Sequence, residues 1–262
     1  MKKILGFMLL GFISIVFVGC QNDVINTWDE IEERGYFIVG LDDTFAPMGF
    51  RNNDGELVGF DVDLAKEVSE RLGVDVRFQP IDWDAKVLEL NGGSIDMIWN
   101  GLTITDARQE EMLFSNAYIA NTQMIMVQSG ANIDVMNDLV DMRVGVQVSS
   151  AAEESVLANE INEDFSELLK YDTYNLALLE LENGTIDAVV VDEIMGRYII
   201  SQNPGTYQAA TDNFGEEAYG VGFRLESEDI RDTINQVLSE MIGDGTASEI
   251  SIRWFDEDIF LT

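Results

Sequence analysis

Histidine does not occur in this 262-residue chain, and cysteine occurs once, at Cys20. Without histidine the commonest general base, proton shuttle and metal ligand is missing. A single cysteine has no partner within the chain, so the fold must be held by its apolar core rather than by disulfides. Basic residues are few, 15 against 49 acidic ones, and the net charge is −34. That balance excludes nucleic acid as a partner, because phosphates require Lys and Arg, and it opposes adhesion to an anionic membrane. The carboxylates form no calcium loop of the D-x-[DN]-x-[DN]-G type. No metal site and no cofactor is therefore expected, and a metalloenzyme or hydrolase is a poor starting point. Only three prolines occur and no Ser/Gly-rich linker interrupts the chain, while 46% of the residues are hydrophobic. This composition supports one large domain or two of about 100–150 residues each.

A long uncharged and strongly apolar run lies at the amino terminus. Met1-Lys2-Lys3 is a short basic start, and Ile4 to Val18 is free of charge. A membrane span needs about 20 apolar residues, and this shorter run matches the apolar region of a secretory signal. It ends at Gly19-Cys20, which resembles the lipobox of bacterial lipoproteins, with Phe17 standing where Leu is usual. The resemblance implies a signal peptide over 1–19, lipid attachment at Cys20, and an extracytoplasmic protein anchored to the cell membrane. The other reading is an ordinary signal with a buried cysteine.

Strand and helix patterns alternate after the leader. Phe37 to Leu41 reads as a strand, and Asp61 opens a helix with Leu64, Val68 and Leu72 on one face before Gly73 stops it. Val74, Val76 and Phe78 alternate as on a half-buried strand. A helix is expected over Asp84–Leu90 and a strand over Ile95–Trp99. The pattern then restarts, with strands over Arg143–Val148 and Ala188–Val191 and helices over Ala151–Leu157 and Asn175–Leu181. Leu88 to Asp96 aligns with Leu179 to Asp187 without a gap, each segment being a helix end, a glycine stop and a strand entry. Ile230, Ile234, Val237, Leu238, Met241 and Ile242 form one stripe of a late helix. The order indicates an α/β fold with mainly parallel sheets, in two similar lobes around a structured hinge and a cleft.

Five blocks carry a family resemblance. They are Phe45-Ala46-Pro47-Met48-Gly49-Phe50 with Gly55 to Ala65, then Asn100 to Arg108, then Val144 to Ser150, and last Asp187 to Asp192. In this order they resemble the polar amino-acid family of bacterial extracytoplasmic solute-binding proteins over nearly the whole mature chain. The resemblance implies the type II periplasmic-binding-protein clamp. It also implies a first lobe built from 20–126 and 213–262, and a second from 127–212. The implied partners are a free polar amino acid and the membrane permease of an ABC importer; the role is not enzymatic.

An amino acid brings a carboxylate, an ammonium and a side chain, each needing a partner once water is expelled. Arg108 suits the carboxylate, since a guanidinium makes two parallel hydrogen bonds where lysine cannot; the competing reading pairs it at the surface with Glu110 or Glu111. Thr103 can add a hydroxyl or an N–H. Ser150 begins a capping-box pattern whose helix N-terminus suits the same anion, although most such boxes only cap. Ser149 stands where the family has glycine, and Gln147 reaches toward the ligand side chain or the closed form. Asp192, at the carboxyl end of an apolar strand, suits the ammonium, with the carbonyls of Asn100 and Gly101 beside it; otherwise it caps the next helix. Asp42, Phe45 and Trp83 would line the side-chain pocket, with plain core packing a rival for the two aromatics, and Trp99 is expected in the core. The pocket favours an extended cationic or cystine-like ligand. Two other functions remain open: a dehydratase-like enzyme on the same fold, with Asp42 or Asp192 as acid, and a sensor module for a separate signalling partner.

Overall fold

The computed structural model describes residues 24–261. The expected signal peptide, 1–19, and Cys20 lie outside the described residues.

Helix α1 (Trp28–Arg34) is framed by a complete capping box between Thr27 and Glu30 and stops at Gly35, whose φ of 80° is left-handed. Strand β1 (Tyr36–Leu41) follows, then three short antiparallel strands, β2 (Thr44–Phe45), β3 (Gly49–Arg51) and β4 (Leu57–Val58). Helix α2 (Phe60–Leu72) buries Leu64 and Val68 as its spacing requires and delivers the chain to β5 (Asp75–Pro80), which lies parallel to β1. A tight turn at Trp83–Ala85 precedes α3 (Lys86–Asn91), so the helix expected from Asp84 starts two residues later. Strand β6 (Met97–Ile98), helix α4 (Asp106–Gln109) and strand β7 (Leu113–Phe114) complete this part.

The chain continues into β8 (Ile119–Gln128), β9 (Arg143–Gln147), α5 (Ala151–Ala158), β10 (Glu167–Tyr171), α6 (Tyr174–Glu182), β11 (Ala188–Asp192), α7 (Glu193–Gln202) and β12 (Tyr207–Tyr219). It returns through β13 (Gly222–Phe223), α8 (Glu228–Asp244) and α9 (Thr246–Phe255). The first sheet has the order β5-β1-β6-β13-β7 and the second β10-β9-β11-β8-β12. In each, three parallel strands are followed by an antiparallel pair. The stripe on α8 is buried at Ile230, Ile234, Val237, Leu238 and Met241.

The repeat seen in the sequence has a structural counterpart. Gly93 and Gly184 end their helices at φ 75° and 71°. Asp96 then accepts a hydrogen bond from the Ile38 N–H, at 2.7 Å, and from Arg34. Asp187 accepts from the Arg143 N–H, at 2.9 Å, and from the Arg143 guanidinium. The carboxylate of Asp96 thus completes the pairing with β1 that main-chain groups would otherwise make. For that reason the strand expected over Ile95–Trp99 is only Met97–Ile98.

The chain changes sheets at 115–118 and at 220–221, outside the lobe boundaries expected at 126/127 and 212/213. Strands β8 and β12 hydrogen-bond to each other from Ile119↔Tyr219 to Gln128↔Tyr207, with irregularities near Asn213, and so both belong to the second sheet. At the crossing the two segments also bond each other, Ser115 N to Val221 O at 2.9 Å and Tyr118 N to Tyr219 O at 3.0 Å. A paired ribbon resists independent twisting of its strands, so the junction is a structured hinge.

Arg224, 2% exposed, fastens the return segment to the first lobe. It donates to the carbonyls of Leu90 (2.9 Å), Ile95 (2.6 Å) and Ile25, and to Asn26 Oδ1 (3.0 Å), and it lies 3.6 Å from Asp96. Removing the guanidinium leaves Asp96 paired with Arg34 but strips the buried carbonyls of Leu90 and Ile95 of their donor, at a cost of about 1–3 kcal/mol. Arg224→Met is expected to lower stability by that amount in urea unfolding; a loss within about 0.5 kcal/mol, the range of ordinary surface changes, contradicts this role.

Candidate functional site

The carboxyl ends of β1, β6 and β11 and the start of α5 converge where the two sheets face each other. A small cavity of about 10 Å³ lies there, lined by Asp42, Phe45, Trp83, Asn100, Gly101, Thr103, Arg108, Gln147, Ser150, Ala151 and Asp192. The structure therefore brings together every expected binding residue except Ser149, from both lobes. A larger adjoining cavity of about 270 Å³ shares Asp42 and Trp83 and adds three more carboxylates, Asp82, Asp84 and Asp172.

Arg108 sits on the single turn of α4, whose first N–H groups are capped by Thr105 Oγ1. It is 6% exposed and donates to two carbonyls, Thr103 O at 2.9 Å and, across the cleft, Ser149 O at 3.2 Å. It makes no pair with Glu110 or Glu111, because α4 turns its side chain inward. Burial lowers its pKa, opposed by the charges of Glu154, Asp192 and Glu217. This is a buried cation without an adjacent anion among the described residues, and the partner it fits is a planar carboxylate.

Asp192 stands at the N-cap position of α7 yet makes no side-chain cap. Its Oδ1 instead accepts from Asn121 Nδ2 (2.8 Å), Gln123 Nε2 (3.0 Å) and Tyr219 Oη (2.8 Å). Burial, reinforced by the negative charge of Glu217, pushes Asp192 up to about 8, against the hydrogen bonds of Tyr219 and Gln123 and the charge of Arg108.

The remaining groups hold the walls. Asp42 is already satisfied: Thr44 N and Oγ1 donate to one oxygen (2.9 and 2.6 Å), and Gln147 Nε2 reaches the other from the opposite lobe at 2.9 Å. It thus closes the cleft as well as bordering the outer cavity. Asn100 Oδ1 accepts from the Asp42 N–H at 3.0 Å. Gly101 has φ 59°, and a Cβ there would meet Phe45 at 2.8 Å, so glycine is required. Its N–H donates to buried Asp61 at 2.7 Å. The Thr103 hydroxyl donates to Glu217 at 2.8 Å, which turns it toward the carboxylate side of the cavity rather than toward Arg108. Phe45 and Trp83 are 6% and 8% exposed, Phe45 packing on Tyr174 with ring centroids 6.0 Å apart, so core packing and cavity lining coincide in both. Trp99 is core, as expected.

Ser150 caps α5 by accepting from the Glu153 N–H at 3.1 Å, but the Glu153 carboxylate reaches the N–H of Ser149, at 2.6 Å, so the capping box closes one residue early. Ser149 itself lies outside the cavity. Its φ of 55° is left-handed, a conformation glycine adopts freely and serine at a cost. The conformation presents its carbonyl to Arg108 and to Lys86 Nζ (2.8 Å), and its hydroxyl to Asp84 (2.6 Å). Ser149 is therefore a latch between the lobes. Lys86, 4% exposed, is drawn down to about 7 by burial and by the charge of Arg108, opposed by Asp84, Glu111 and Glu153.

Sequence reasoning missed Lys86, Asn121, Gln123, Tyr219 and Glu217. The last four come from the ribbon β8–β12, whose pairing joins residues about a hundred positions apart. The only local signal was polar residues inside a strongly apolar strand, Asn121 and Gln123. Among the described residues no group of three His, Cys, Asp or Glu is arranged to hold a metal ion, and no helix is long and apolar enough to cross a membrane.

The chain is similar to characterised proteins over most of its length. The L-cystine-binding protein TcyJ of Escherichia coli K12 is 30% identical over 88% of this chain and 86% of its own. An ABC uptake transporter substrate-binding protein from Streptococcus pneumoniae, solved with bound histidine, superposes with a TM-score of 0.86 at 36% identity, covering 90% of this chain and 99% of that one. Tv2483 bound to L-arginine superposes at 0.85 with 28% identity, over 89% and 96%. The family model for bacterial extracellular solute-binding proteins, family 3, matches residues 37–257. With a two-lobed fold and a buried polar cavity between the lobes, the chain belongs to the bacterial extracellular solute-binding proteins of family 3.

Proposed function

We propose that this protein is an extracytoplasmic receptor that closes over a free α-amino acid and delivers it to an ABC importer. The observation that carries the reading is the pair of buried groups that meet on one small cavity, the Arg108 guanidinium from one lobe and the Asp192 carboxyl from the other. A zwitterion has the matching charges. Its carboxylate pairs with Arg108 beside the N-terminus of α5, and its ammonium with Asp192. Trp83 and Phe45 flank the side chain, which extends past Asp42 into the outer cavity lined by Asp82, Asp84 and Asp172. Those four aspartates favour a cationic or polar tip and oppose an acidic one. Cystine, histidine and arginine, named for the similar proteins, all have polar or extended side chains.

The chemistry of the site requires no catalysis. Under this reading the groups that line the cavity bind and orient the ligand rather than react with it. Attachment to the membrane through Cys20 follows from the leader alone. Mass spectrometry of the native mature protein is expected to show a lipid-modified cysteine as first residue; an unmodified Cys20 refutes the anchor and leaves the receptor intact.

Calorimetric titration with the twenty amino acids, cystine and ornithine tests the receptor. The expected ligands are arginine, lysine, ornithine, cystine, histidine or glutamine; glutamate or leucine binding best overturns the pocket assignment. In a folded Arg108→Ala protein every accepted ligand is expected to lose about 2–5 kcal/mol of binding free energy, the cost of truncating one partner of a buried charge pair. Unchanged affinity in that variant removes the central contact.

A further inference from the structure

Glu217 does not line the cavity, yet it is bonded to the groups that do. Its Oε1 accepts from Thr103 Oγ1 at 2.8 Å, Asn121 Nδ2 at 2.5 Å and Gln123 Nε2 at 2.7 Å. The same two amide nitrogens donate to Asp192 Oδ1, at 2.8 and 3.0 Å. A primary amide has two hydrogens, and here each amide directs one to Glu217 and one to Asp192. Two carboxylates are thereby held side by side against the hinge ribbon. Asp192 Oδ2 accepts no hydrogen bond among the described residues, and it is the oxygen left for a proton or for an incoming cation.

We propose that Glu217 is a positioning residue that makes ligand capture an exchange of cations: the arriving α-ammonium replaces a proton held on Asp192, and that proton leaves to solvent. The proposal rests on the reading of Asp192 as the ammonium partner. In the exchange Asp192–COOH and R–NH₃⁺ become Asp192–COO⁻ paired with ⁺H₃N–R, plus one released proton, so charge balances.

The surroundings of Asp192 support the exchange. From β12 it faces Glu217 and Tyr219, from α6 Tyr174, and from α4 Arg108. Glu193, the next residue, is turned away to Thr122 and Arg197. Two adjacent carboxylates that share their donors disfavour each other's ionisation, and the effect falls on the buried one, Asp192. The charge of Arg108 opposes the shift, but burial and Glu217 outweigh it and raise Asp192 to about 8. At neutral pH the proton therefore competes with the ligand. The sign follows directly: lowering the pH favours the proton and weakens binding, while raising it through about 8 frees the carboxylate. Below that pH, affinity is expected to rise about tenfold per pH unit for one proton released, and to level off above it.

Two measurements on the full mature protein decide the matter. First, L-arginine, L-histidine and L-cystine are each titrated by calorimetry at pH 7 in phosphate and in Tris, buffers of different ionisation enthalpy. The wild type is expected to release about one proton per ligand bound, and Glu217→Gln, which preserves the side-chain shape, to release distinctly fewer and to flatten the pH profile of affinity. Equal heats in both buffers, or an unchanged proton count in Glu217→Gln, overturns the proposal. Second, infrared titration without ligand is expected to show a protonated carboxyl persisting to about pH 8, absent in Asp192→Asn and moved to lower pH in Glu217→Gln. Asp61, which burial raises to about 7, supplies a second band that Glu217→Gln leaves in place. An Asp192 band that does not move in Glu217→Gln contradicts the role of Glu217. If none of the amino acids of the full calorimetric screen binds, the ammonium reading of Asp192 falls, and with it the exchange.

Discussion

The structure depends on one constraint: a guanidinium is held out of water between two lobes without a carboxylate paired to it among the described residues. Arg108 is 6% exposed, and the groups it bonds are carbonyls, one from its own loop and one from the facing lobe. Carbonyl dipoles offset part of the desolvation, but a carboxylate would offset far more. The rest of the cleft can be read as the framework that keeps this cation in place. Thr105 caps the turn that bears it, Thr103 supplies the first carbonyl, and the left-handed backbone at Ser149 delivers the second. Asp192, across the same cavity, is the complementary case: a carboxylate under strong desolvation with a second acid beside it. A zwitterion supplies the anion that Arg108 lacks and the cation that lets Asp192 ionise.

Closure and recognition use the same residues. Gln147 crosses from the second lobe to Asp42, Ser149 joins Lys86, Arg108 and Asp84, and Phe45 packs on Tyr174. These contacts join the two lobes around the cavity, so under the proposed function a ligand held between them adds to the same interface. The ribbon β8–β12 is suited to such motion. It crosses as a hydrogen-bonded pair, which allows bending at the 115–118 and 220–221 connections while keeping the register that aligns Asn121, Gln123 and Glu217 under the cavity.

Much of this was legible in the sequence, for reasons that differ by residue. The helix of Leu64 and Val68, the stripe on α8 and the paired segments 88–96 and 179–187 follow from local periodicity and stop residues, which act over a few positions. The cavity residues were legible because Arg108 and Asp192 lie in continuous blocks that resemble the family, Asp192 at a strand end and Arg108 on a helical turn. Glu217 was not, since its meaning arises from pairing across the hinge, and an acidic residue in so acidic a chain carries no local signal. The strand at Ile95–Trp99 was overdrawn because an apolar run does not reveal that Asp96 completes the pairing with its side chain. Asp42 lines the pocket as expected, but its bond across the cleft, to a residue 105 positions away, has no local signal.

The central claim is that the cleft recognises the two charges common to all amino acids before it distinguishes side chains. The direct measurement takes the amino acid that binds best and compares it by calorimetry with its methyl ester, which lacks the anionic carboxylate, and its N-acetyl derivative, which lacks the ammonium. Loss of detectable binding for both derivatives is the predicted result; a methyl ester or an N-acetyl derivative that binds as tightly as the parent contradicts the account.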